Sequence, residues 1–69
     1  MNRLAEINEE YEQIMRSPAG PARDRALGHL MDRMKDEYRI PMLQDAEWER
    51  DNRAVIAMYR KISMSRTTV

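Results

Sequence analysis

Asp45-Ala46-Glu47-Trp48-Glu49-Arg50-Asp51-Asn52-Arg53-Ala54-Val55-Ile56-Ala57-Met58-Tyr59-Arg60-Lys61-Ile62-Ser63-Met64-Ser65-Arg66 is the stretch that decides the fold class of this chain. Within it Trp48, Asn52, Val55, Tyr59 and Ile62 follow one another at steps of four, three, four and three, the spacing that keeps side chains on one face of an α-helix. Ile56 and Met58 flank that line and widen it, and neither Gly nor Pro interrupts the run. Asp45, Glu47, Glu49 and Asp51 crowd its start while Arg53, Arg60, Lys61 and Arg66 fill its later turns, a distribution that complements the helix dipole. Glu49 and Arg53 stand at the favourable i, i+4 spacing for an ion pair. The pattern predicts one helix over 45–66, roughly 30 Å long, with an apolar face that something must cover.

Upstream of this run, Ile40-Pro41 must end or kink any preceding helix, because proline removes a donor and disfavours helical geometry in the residue before it. Met42 and Leu43 keep the connection apolar, which predicts that it packs against the helix ends. Leu27, Leu30, Met31, Met34 and Tyr38 make a second helical stripe, predicting a helix over 22–38 with Pro21 well placed to open it. Gly28 lies beside that stripe and either admits a close neighbour or is simply tolerated. Ser17-Pro18-Ala19-Gly20-Pro21 punctuates the chain. Before it, Leu4, Ile7, Tyr11 and Ile14 recur at steps of three, four and three, an amphipathic helix over 2–16 with Asn2 as N-cap and Glu12 within i+4 reach of Arg16. Thr67-Thr68-Val69 is expected to fray.

The expected architecture is all-α, one domain over 1–69: an antiparallel hairpin of two long helices with a shorter N-terminal helix, a small three-helix bundle that self-association could complete. A chain of 69 residues buries only about 60% of the surface its unfolded form exposes, so its stability needs help from tight helix packing or oligomerisation. Cysteine is absent, which removes disulfides and thiolate metal sites and fits a reducing, cytoplasmic setting. Seven methionines and no phenylalanine supply an adaptable apolar content; Met31, Met34 and Met58, on or beside the stripes, are expected in the core. Of the twelve bases ten are Arg, against twelve acids, which favours forked Arg–carboxylate pairs on the surface.

Little in the sequence points to chemistry. His29, Asp32 and Asp36 fall roughly along one helix face, yet they lie off the apolar stripe and imply no fourth ligand, so no metal or other cofactor is expected. Ser17, Ser63 and Ser65 have no nucleophile motif, and Gly20 and Gly28 stand alone rather than in a phosphate loop. An enzyme is not expected, and no small-molecule substrate is implied. The absence of any apolar run near 20 residues or of an apolar N-terminal core argues against a membrane span or signal segment.

Three functional readings remain. The first is a protein–protein interaction or assembly module whose partner is another protein or a second copy, forming a homo-oligomer through the face Trp48, Asn52, Val55, Tyr59 and Ile62. In that face Asn52 either fixes a helix register or meets water at the edge, and Trp48 and Tyr59 either pack in the core or anchor a partner. The alternative is a nucleic-acid-associated regulator that grips the phosphate backbone through the basic segment 52–69, with Arg53, Arg60, Lys61 and Arg66 as its patch. A net charge of zero and the acids at the start of 45–66 weigh against it. Membrane-surface attachment through 52–66 competes with the need to cover the other helices.

Overall fold

The computed structural model describes residues 2–66 and contains four helices: α1 (Arg3–Met15), α2 (Pro21–Tyr38), α3 (Ala46–Asp51) and α4 (Arg53–Ser65). The tail expected to fray, 67–69, lies outside the described residues. The first two helices begin and end where local chemistry dictates. Asn2 is extended (φ −98°, ψ 116°) and its side chain accepts a 3.0 Å hydrogen bond from the Leu4 N–H, satisfying one of the orphan donors of a first turn. Gly20 takes φ 156° and ψ −177°, a region open essentially to glycine alone, and hands the chain to Pro21 at the first position of α2.

The end of α2 is less ordinary. Arg39 adopts the left-handed conformation (φ 55°, ψ 49°), and the Ile40 N–H returns to the Lys35 carbonyl at 3.1 Å. That bond belongs to the Schellman cap, which turns the chain and sends the following apolar residue back against the helix. Ile40 is accordingly buried, while Pro41 prevents any continuation.

Helix directions follow from side-chain contacts. Arg3 reaches Glu37 and Arg33 reaches Glu10, both at 2.7 Å, so α1 and α2 run antiparallel. Lys61 donates to Asn8 Oδ1 at 3.2 Å and the Tyr11 hydroxyl pairs with Ser65 Oγ, so α4 runs parallel to α1 and antiparallel to α2. The predicted all-α bundle is what forms, although α1 and α4 are equal in length at 13 residues and α2 is the longest at 18.

The core joins all three longer helices. Ile7 and Tyr11 come from α1, Leu27, Leu30 and Met34 from α2, and Val55, Met58 and Ile62 from α4, with Ile40 closing one end. Ile7, Leu27, Leu30, Met34 and Ile62 are essentially inaccessible, each worth about 1.5–3 kcal/mol of burial. The core therefore closes within one chain. Met34 and Met58 belong to it and Met31 packs against it, as their place on the stripes implies. Asp24, in the first turn of α2, is the buried charged residue among those described, at the helix end that favours an acid.

One long helix over 45–66 does not form. Asn52 leaves helical geometry (φ −131°, ψ 45°) and divides the run into α3 and α4. Its N–H makes a shorter-range bond to the Glu49 carbonyl at 3.2 Å, which strips the Trp48 carbonyl of its usual i+4 backbone donor. The Asn52 side chain repairs the loss, donating from Nδ2 to the Trp48 oxygen at 2.8 Å. A short polar side chain competing with the backbone ladder is the cause of the break. The turn also changes the ion pairs: Glu49 meets Arg60 at 2.7 Å, not Arg53. The spacing of Glu12 and Arg16 produces no ion pair either, and α1 instead ties to α2 through Arg3 and Glu10.

Candidate functional site

Residues 40–45 connect two well-fixed points. Ile40 is held in the core, and Asp45 caps α3, its Oδ1 accepting from the Trp48 N–H at 3.1 Å. Between them the chain bends at Met42 and Leu43, which form an apex. Met42 and Leu43 stand there 85% and 84% exposed. This corrects the expectation that the apolar connection packs against the helix ends: only its first residue does.

Behind the apex lies a groove of about 210 Å³, floored by Ile40, Trp48, Ile56 and Tyr59 and closed on one side by the Glu49–Arg60 ion pair. Sites that enclose a small-molecule substrate usually measure about 300–1,000 Å³. This one has room for one or two aliphatic side chains. Its walls are held by the break at Asn52, because α3 packs on α4 alone among the helices and carries Trp48 over Ile56 and Tyr59.

The five residues of the predicted interaction face separate into three environments. Val55 and Ile62 are core residues covered by α1 and α2, and Trp48 and Tyr59 are half-buried around the groove. Asn52 is half-buried with its amide spent on the Trp48 carbonyl. The core line of α4 runs through Met58 in place of Tyr59, since the restart at Arg53 frees this helix from the phase of α3.

The four bases do not form one patch. Arg53 and Arg60, seven residues apart on α4, share a shallow furrow with Arg50 and Glu49, and Glu49 pairs with Arg60. Lys61 turns toward α1, with Nζ 5.0 Å from the centroid of the Tyr11 ring and bonded to Asn8. The Arg66 guanidinium lies over Gly28, 3.7 Å from where a Cβ on that glycine would stand. Arg60 and Lys61 thus have protein partners, whereas Arg53 and Arg66 are exposed with no side-chain hydrogen bond or ion pair among the described residues.

Elsewhere, His29 is exposed on α2, and among the described residues no group of three or more His, Cys, Asp or Glu side chains is placed to hold a metal ion. Hydrogen bonds to Glu37 first, and to Glu6 next, raise the Arg3 guanidinium pKa above its ordinary value. No described helix is long and apolar enough to cross a membrane.

Met42 and Leu43 were the residues the periodicity passed over. The signal was present in the pairing of Pro41 with two large apolar residues two positions before a capping acid, because both ends of such a connection are committed and its middle is not. In comparisons with family models, with curated proteins and with solved structures, the chain matches none.

Proposed function

We propose that this chain is a protein–protein contact module that works through the Met42–Leu43 apex and the groove behind it. One observation carries the reading: two consecutive large aliphatic side chains stand more than four-fifths exposed, at 85% and 84%, beside a half-covered aromatic groove. Single exposed apolar residues are ordinary on protein surfaces, but an adjoining pair next to an apolar depression is the composition of a contact patch. The core does not need these residues, so they are free for a partner. The reading is non-catalytic, and a cysteine-free chain suits a reducing cytoplasmic setting. The phosphate-backbone alternative draws less support, because Arg60 and Lys61 already have protein partners.

Site-specific photo-crosslinking in cells tests the proposal. A crosslinker in place of Leu43 should give a discrete protein adduct, and one in place of Glu9, exposed on the far helix α1, should not. Equal, diffuse labelling from both positions would overturn it.

A further inference from the structure

Resting on the contact-module reading, we infer that Met42 is a modification site: a thioether that a hydroperoxide converts to the sulfoxide, which removes the apolar character of the apex and leaves the fold intact. The first ground is how the sulfur of the chain is distributed. Cysteine is absent, so no thiolate competes for an oxidant and the methionine thioethers are the reactive sulfurs. Among the described methionines, Met34 and Met58 are buried, and Met15 and Met31 pack against the core. Met42 and Met64 stand 85% and 84% exposed. A peroxide oxygen must reach the sulfur lone pair, so these open thioethers react first.

The second ground is what oxidation does at each position. In the core, at Met34, a sulfoxide oxygen would be buried without a partner and the domain would unfold. Met64 lies near the far end of α4 from the groove, with Arg60 and Lys61 at i−4 and i−3, and a polar group there joins polar surroundings. Met42 is neither case. It takes no part in the core, and it lines the groove with Trp48 and Tyr59, next to Leu43. The polarity of this one sulfur therefore sets the polarity of the contact surface, and stability is not involved.

The peroxide alone balances the forward step. A sulfur lone pair attacks a peroxide oxygen, and the S–O bond forms as the O–O bond breaks. The thioether gives up a pair of electrons, and hydrogen peroxide is reduced to water. The product carries a strong hydrogen-bond acceptor, and seating it in an apolar contact would take that oxygen from water without replacing the bonds. Reversal draws a pair of electrons from a dithiol, which becomes a disulfide while the oxygen leaves as water, the chemistry of methionine sulfoxide reductases. Because Met42 is open to solvent, both directions proceed on the folded chain.

Peptide mapping by mass spectrometry, during graded exposure of the intact chain to hydrogen peroxide, tests the chemistry. Met42 and Met64 should convert at least about tenfold faster than Met34 and Met58, which need the core to open, and circular dichroism should not change as Met42 converts. The crosslinker at position 43 then reads the contact. A peroxide pulse should lower its protein adduct about tenfold. Met42→Leu, apolar but without sulfur, should keep the adduct within about twofold of the untreated level, and Met64→Leu should give no such protection. Conversion of Met42 no faster than that of Met34, or loss of helicity in step with it, would overturn the inference. So would a loss of adduct that Met42→Leu fails to prevent, because the sensitive group would then lie elsewhere. The two proposals fail differently: no discrete adduct before peroxide removes the contact module and its regulation together, whereas an adduct that survives full conversion of Met42 removes only the regulation.

Discussion

Ile40 and Leu43 stand three residues apart in one short connection, yet Ile40 is 7% exposed and Leu43 is 84% exposed. The difference is one of anchorage, not hydrophobicity. Ile40 is drawn in by the left-handed cap at Arg39 and its bond to the Lys35 carbonyl, whereas Leu43 follows Pro41 and precedes the cap of α3. The same contrast holds at larger scale. The bundle of α1, α2 and α4 buries its stripes on one another and leaves Met64 of α4 exposed off them, while α3 touches α4 alone among the helices and the connection before it leaves the adjoining pair Met42 and Leu43 uncovered. The stripes of the bundle serve folding, and the adjoining pair Met42 and Leu43 does not.

The sharpest way to break this comparison is to truncate a leucine in each part. Leu30→Ala opens a cavity in a fully buried site and should cost about 2–5 kcal/mol, enough to unfold much of a domain of this size. Leu43→Ala should change stability by less than about 0.5 kcal/mol. Urea denaturation of the two variants side by side measures both, and a similar loss in each would show that the apex belongs to the core after all.

Asn52 sharpens the boundary between the parts. With leucine there, the Trp48 carbonyl loses its side-chain donor and the backbone regains a reason to run helical from 46 to 65. Asn52→Leu should raise the helical signal at 222 nm and separate Glu49 from Arg60, with a stability change of about 1 kcal/mol or less. An unchanged spectrum would mean that packing of Trp48, and not the amide, bends the chain.

Smaller effects come from two backbone positions. Arg39 pays for its left-handed conformation, so Arg39→Gly should stabilise the fold by about 1 kcal/mol, read as a higher urea midpoint. Gly28 lies inside α2, and a Cβ there would meet the Arg66 guanidinium at 3.7 Å, an ordinary contact. Gly28→Ala should therefore stabilise by up to about 1 kcal/mol through helix propensity. A loss at position 28 would mean that the Arg66 side chain cannot yield.

Most of the bundle was legible in its sequence because periodicity reports directly on burial. The stripe of Leu4, Ile7, Tyr11 and Ile14, and that of Leu27, Leu30, Met31, Met34 and Tyr38, all lie in or against the core. The break at Asn52 was not legible from the stripe, because a run without Gly or Pro reads as continuous and the competing bond is made by a side chain. Nor was the groove. Periodicity marks Trp48 and Tyr59 as apolar-face residues without saying that a bend would place them around a depression. The core lies where local pattern and tertiary packing agree, and the candidate surface lies where they part.

The central claim is that the spare apolar surface at the apex is where this molecule meets a protein partner. Photo-crosslinking in cells from position 43 and from position 9 tests it most directly, because the pair locates the contact as well as detecting it. The account predicts a discrete protein adduct from position 43 and none from Glu9, exposed on α1. Equal labelling from both positions, or an adduct from position 9 alone, would contradict it.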